Sequence, residues 1–141
     1  MKRKASAVWQ GDLKSGKGAV STESGVLKSA QYSFTTRFEN GAGTNPEELV
    51  AAAHAGCFSM ALSFGLQQAG FTAEKVETTA TLNFDNVQPA GWTVTAIHLD
   101  TTAKVPGVSA EKFTEVANGA KANCPISRLL KADITLHAKL A

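Results

Sequence analysis

Two cysteines, Cys57 and Cys124, are the residues of this chain best suited to chemistry, and 67 positions separate them. That spacing fits neither a disulfide-rich framework nor a zinc ribbon; in a chain with only two cysteines it points to reversible redox chemistry or to buried structural thiols. Cys57 lies among apolar and small residues, where a thiol's pKa rises, so a nucleophilic role requires a nearby cation. Arginine is scarce, with only Arg3, Arg37 and Arg128. Arg37 precedes the Cys57 segment by a short loop and could reach it, its other reading being a surface arginine on a half-exposed strand. Glu47 and Glu48 can hold a guanidinium in a two-pronged pair, and their other use is to favour a helix N-terminus. Cys124, in Asn123-Cys124-Pro125, sits where a new helix starts, so the positive end of a helix dipole lowers its pKa and suits it as a second, attacking or leaving thiol. His54 shares a helix face with Cys57 at i and i+3, but with His98 and His137 scattered no metal-ligand set is complete.

The element that must position Cys57 runs from Thr44 to Gly70. Thr44 or Asn45 can cap it, Pro46 suits its first position, Glu47 and Glu48 fill its first turn, and Gly70 can stop it. From Leu49 to Leu66 it is apolar or small all round, interrupted only by His54, Ser59 and Ser63, the pattern of a helix buried on every side. One sheet face cannot cover such a helix, so an intertwined homodimer is expected.

Before this helix the pattern is of strands and glycine-rich turns, from Ala5 to Leu13, around Ala19-Val20-Ser21-Thr22, and from Ala30 to Glu39. In the last of these Tyr32, Phe34, Thr36 and Phe38 alternate with polar residues and place Arg37 on a polar strand face. After the helix, Val76 to Phe84 alternates as a one-face-buried strand, Gln88-Pro89-Ala90-Gly91 turns the chain, and Trp92 to Val105 completes a hairpin. Ser109 caps a helix on which Phe113, Val116, Ala117 and Ala120 follow helical spacing. A short helix after Pro125 is expected to face Ile126, Leu129 and Leu130 inward, and Asp133 to Leu140 closes the chain as a strand. This order of an N-terminal antiparallel sheet, a long central helix, and a second sheet with two shorter helices argues an α+β fold.

At 141 residues, 18% charged, with a net charge of +2, the chain is expected to be one domain spanning 1–141. No charge run marks it for nucleic acid or an anionic membrane. No signal-peptide pattern opens the sequence, and alanine, glycine, serine and histidine dilute the long helix, so it reads as a core helix of a cytoplasmic protein.

The segments WQGDLKSGKGAVSTESGVL, FTTRFENGAGTNPEELVAAAHAGCFSMALS and ANCPIS resemble the OsmC branch (osmotically inducible protein C) of the OsmC/Ohr family of thiol-dependent organic hydroperoxide reductases, and the resemblance covers nearly the whole chain. It implies an intertwined α+β homodimer with sites at the subunit interface. It implies that Cys57 is the peroxidatic cysteine, Cys124 the resolving one and Arg37 the catalytic arginine. The glutamate directly after the proline falls on Glu47, which selects it over Glu48. The chemistry so implied is attack of Cys57 on an organic hydroperoxide, a sulfenic acid, a Cys57–Cys124 disulfide, and reduction by an external dithiol, lipoyl-type reductants among the candidates. No metal, flavin or nucleotide cofactor is called for. A different class, a redox-switch or small-ligand-binding dimer without turnover, rests on the same residues.

Overall fold

The computed structural model describes residues 1–141, which divide into two compact units, Met1–Leu49 and Val50–Ala141. The architecture is α+β, with two three-stranded sheets and a long helix between them in sequence.

The first unit holds β1 (Ala5–Gln10), β2 (Lys17–Thr22) and β3 (Ala30–Tyr32), antiparallel in that order. The β1–β2 turn is fixed by Asp12, whose Oδ1 accepts from the backbone N–H groups of Lys14 and Ser15, and by Gly11 at φ +92°. Leu13 therefore belongs to the turn rather than to β1. Gly18 is needed for packing: a Cβ there would come within 2.4 Å of the Tyr32 ring, which leans on Trp9 with centroids 5.4 Å apart.

The stretch expected to continue as a strand to Glu39 does not. β3 stops at Tyr32, and α1 (Phe34–Phe38) follows. Ser33 Oγ accepts from the Thr36 N–H at 3.3 Å while Thr36 Oγ1 accepts from the Ser33 N–H at 2.8 Å, a reciprocal cap that meets two otherwise orphaned donors. The local hydrogen bonds outweigh the strand preference of alternating phenylalanines and threonines, and Arg37 lies on the last turn of a helix instead of a strand face.

α2 (Pro46–Gln68) begins where the sequence marks it. Asn45 is the cap, its Oδ1 accepting from the Glu48 N–H at 2.8 Å while its Nδ2 donates to the Thr36 carbonyl at 3.1 Å. The stop is built on Gly70 at φ +86°, with Phe71 N–H bonded to the Leu66 carbonyl and Gly70 N–H to that of Gln67.

In the second unit β4 (Lys75–Val87) and β5 (Gly91–Lys104) form a long antiparallel hairpin, and β6 (Asp133–Leu140) runs parallel to β5, with Leu99 beside Leu136. A parallel neighbour requires a crossover, which α3 (Ala110–Asn123) and α4 (Pro125–Leu129) supply. The core joins Phe58, Leu62 and Leu66 of α2 to Ile97 and Leu99 of β5 and Phe113 and Ala117 of α3. One polar thread crosses it: Ser59 Oγ donates to Thr78 Oγ1, itself 2.8 Å from Thr101 Oγ1, which reaches the Glu77 carbonyl.

One further expectation, on α4, is corrected here, and α2 is described within a single chain. Within one chain α2 is not buried all round: His54, Phe58, Leu62 and Leu66 are covered, but Met60 is 77% and Phe64 62% exposed. A single sheet and α3 reach only one side of the helix, leaving an apolar face open. Leu129 is 74% exposed, and Ser127 takes the inward position on α4 beside the partly buried Ile126 and Leu130. α4 is only five residues long and Leu130 already leaves it in an extended conformation (φ −87°, ψ 137°), so helical spacing does not govern all three side chains.

Candidate functional site

Two pairs of the residues singled out from the sequence meet, one in each unit. In the first, Arg37 on α1 binds Glu47 on the first turn of α2. Arg37 Nη2 donates to Glu47 Oε1 at 2.7 Å, and Nε lies 3.1 Å from Oε1 and 3.2 Å from Oε2. This engagement of the planar fork fixes the guanidinium's aim as well as its charge. Glu47 is thus a carboxylate that holds Arg37. The Arg37 Cζ also sits 5.4 Å from the centroid of the Phe38 ring. Capping makes this geometry local: Ser33 and Thr36 form α1, and Asn45 ties the Thr36 carbonyl to the start of α2.

In the second unit Cys57, midway along α2, and Cys124, between α3 and α4, are free thiols with their sulfur atoms 2.9 Å apart. Cys124 is fully buried and serves two helices at once, its N–H bonded to the Ala120 carbonyl and its own carbonyl to the Arg128 N–H. Pro125 at the first position of α4 makes this junction, because it cannot extend α3 and suits the start of a new helix.

Their ionisation differs. Burial pushes the Cys57 thiol up, and the hydrogen bond shared with Cys124 adds to this. Burial also opposes ionisation of Cys124, but the hydrogen bond from Cys57, the backbone N–H groups of Ser127 and Ile126, and the Ser127 hydroxyl together bring it below the ordinary value.

Cys57 also lines a groove of about 1030 Å³ whose apolar walls include Met60, Ala61, Phe64, Val116 and Pro125, with Lys112, Glu115 and Asn123 among its polar residues. The histidines have separate partners: His98 Nδ1 lies 2.6 Å from Thr135 Oγ1, His137 Nδ1 lies 3.1 Å from Asp100 Oδ1, and the buried His54 bonds Ser127. No three His, Cys, Asp or Glu side chains converge to hold a metal ion. Ser127 was not singled out from the sequence. Its signal was its place in ANCPIS, three residues beyond Cys124, where a side chain on the first turn of α4 can turn back toward the sulfur.

The α+β chain thus brings two free thiols together between its central helix and a proline-started helix. Comparison with known sequences and structures gives the family. The family model described as OsmC-like protein matches residues 39–139. Peroxiredoxin OsmC of Escherichia coli (strain K12) is 54% identical over 138 residues, covering 98% of this chain and 96% of the relative. Organic hydroperoxide resistance protein-like 1 of Staphylococcus saprophyticus is 31% identical over 100 residues, 70% of each chain. Among solved structures, an OsmC-like protein of unknown function from Vibrio cholerae has the same fold, with a TM-score of 0.78, 15% identity, and coverage of 98% of this chain and 99% of that one. The chain belongs to the OsmC family.

Proposed function

We propose that the protein is a thiol-dependent peroxidase that reduces organic hydroperoxides to alcohols. The observation that carries this reading is the pair of free thiols at 2.9 Å, near enough for a sulfenic acid on one to be closed by the other without a large rearrangement. The names of the two relatives, a peroxiredoxin and a hydroperoxide resistance protein, support the same chemistry.

The cycle has three steps. The Cys57 thiolate attacks the terminal oxygen of ROOH, the O–O bond breaks, and protonation of the leaving alkoxide releases ROH and leaves a Cys57 sulfenic acid. Cys124 then attacks the Cys57 sulfur, expelling hydroxide that leaves as water and forming a Cys57–Cys124 disulfide. An external dithiol, with lipoyl-type compounds among the candidates, returns both thiols by exchange. Burial raises the Cys57 thiol, so its ionisation needs a cation. We assign that role to Arg37, aimed by Glu47, with the added task of stabilising charge that develops on the peroxide oxygens.

The active unit in this reading is a homodimer in which the Met60 and Phe64 face of α2 is covered by a second subunit. Residues 1–141 act as a single OsmC-like domain, a reading supported by a family match that runs across both compact units. The protein works in the cytoplasm, with α2 as a core helix.

Substrate preference follows from the groove. Each methylene removed from water gains about 0.8 kcal/mol, and hydrogen peroxide has none to bury. We expect kcat/KM for cumyl or tert-butyl hydroperoxide to exceed that for hydrogen peroxide by at least about tenfold, or about 1.4 kcal/mol. Steady-state rates under one saturating dithiol check this. Equal efficiency would remove the apolar groove as the source of specificity, and consumption that stops at one equivalent despite excess dithiol would favour a redox switch over an enzyme.

A further inference from the structure

His54 and Ser127 are buried polar residues that the three-step cycle leaves without a task. His54 is fully buried on α2, and Ser127 is 8% exposed on α4. His54 Nε2 lies 2.8 Å from Ser127 Oγ, and Nδ1 is buried with no hydrogen-bond partner. An imidazole with one nitrogen unpaired is costlier to bury than an apolar side chain of similar size, so filling space does not account for it. What the ring supplies, and a leucine cannot, is a directed bond to one particular atom.

That bond has a matching neighbour. His54 precedes Cys57 by three residues on α2, and Ser127 follows Cys124 by three at the start of α4. Two side-chain contacts therefore join the α3–α4 junction to α2 about one helical turn apart, His54 to Ser127 at 2.8 Å and Cys57 to Cys124 with their sulfurs at 2.9 Å. The junction needs such ties. α4 is five residues long, too short to hold itself as a helix, and Cys124 bends the chain between two helices at φ −53°, ψ 126°. Oxidation of Cys57 removes one tie, since an oxygen on its sulfur disrupts the contact between the thiols, and it leaves the other in place.

We infer that the His54–Ser127 hydrogen bond is the clamp that keeps Cys124 in register with Cys57 while Cys57 is oxidised, which makes His54 and Ser127 positioning residues for disulfide closure. This rests on the peroxidase reading for the step it serves. In that step the Cys124 sulfur attacks the Cys57 sulfenic sulfur, the S–S bond forms with an electron pair from Cys124, and the S–O bond breaks. The Cys124 proton and the expelled hydroxide leave as one water. The clamp handles no proton in this step. Its contribution is proximity, because closure joins two groups of one chain at a rate set by how much of the time the sulfurs face each other. Burial lowers the His54 pKa below the ordinary 6.5, so the ring is neutral at neutral pH, and either tautomer keeps the bond to a hydroxyl that both donates and accepts.

Single turnovers with one equivalent of cumyl hydroperoxide separate the two half-reactions: alcohol release reports sulfenic acid formation, and loss of the dimedone-trappable species reports closure. Ser127→Ala and His54→Leu, each of which removes the bond, should release alcohol within about twofold of the unaltered rate and close the disulfide at least about tenfold more slowly. The double variant should close no more slowly than either single one, because the bond is lost only once. Ser127→Thr, which keeps the hydroxyl, should restore closure. Unslowed closure in Ser127→Ala, equal slowing in Ser127→Thr, or single effects that multiply in the double variant would overturn the clamp. Should His54→Leu fail to fold, the alanine and threonine variants of Ser127 decide. A second readout needs no peroxide: in equilibrium with dithiothreitol, Ser127→Ala should require an oxidised-to-reduced ratio about tenfold higher to form half of the disulfide, and an unchanged ratio counts against the clamp. The shifted ratio in a protein that never reacts with peroxide counts against the peroxidase reading and not against the clamp.

Discussion

Replacing Cys57 by serine abolishes peroxide turnover, whereas Cys124→Ser still consumes about one hydroperoxide per site and then stops with a trappable sulfenic acid. The asymmetry follows from the assigned roles. Cys57 lines the apolar groove and is only partly buried, so a substrate can reach it, while Cys124 is sealed behind it at the helix junction. The ionisation of the resting pair runs the other way, with Cys57 raised and Cys124 lowered. Access selects which sulfur meets peroxide; the lowered pKa of Cys124 then serves the second step, where it is the attacking thiol. Stopped-flow single turnovers with dimedone trapping distinguish the roles. Equal bursts in the two variants would remove the assignment.

Arg37→Lys slows the reaction with peroxide at least about tenfold while leaving the thermal midpoint nearly unchanged, because a point charge on a flexible stem replaces a planar fork. Glu47 engages Arg37 through Nε and Nη2 together, a geometry that lysine cannot reproduce. The same substitution should raise the pH at which Cys57 becomes reactive, since a less well aimed cation leaves more of the burial penalty uncompensated. Alkylation rate at Cys57 as a function of pH measures this, and a profile identical to that of the unaltered protein would exclude Arg37 as the activating cation.

Much of the fold was legible because its punctuation is chemical. Pro46 with two glutamates, Gly70, Ser109 and the Asn-Cys-Pro turn each mark an end whose backbone groups need that residue, and the helices begin and stop there. The α1 helix was not legible. Tyr32, Phe34, Thr36 and Phe38 carry a period of two, and only the reciprocal cap between Ser33 and Thr36, which pattern reading does not weigh, turns them into a helix. Arg37 reached its glutamate by a different route from the one its strand pattern suggested. The exposure of Leu129 escaped for another reason, since hydrophobic spacing says that a residue seeks cover and not which element supplies it. Neither was the His54 to Ser127 contact visible, since 73 residues separate the two and α4 must start at Pro125 before the hydroxyl can turn inward.

The central claim is that the two thiols form one catalytic couple, and intact-mass analysis of the reduced protein after one equivalent of cumyl hydroperoxide tests it most directly. The predicted result is loss of two hydrogens per chain, disappearance of both free thiols into a Cys57–Cys124 disulfide within one chain, release of one equivalent of cumyl alcohol, and full reversal by excess dithiol. Retention of both thiols with the hydroperoxide unconsumed, or a disulfide that joins Cys57 or Cys124 to some other partner, would contradict it.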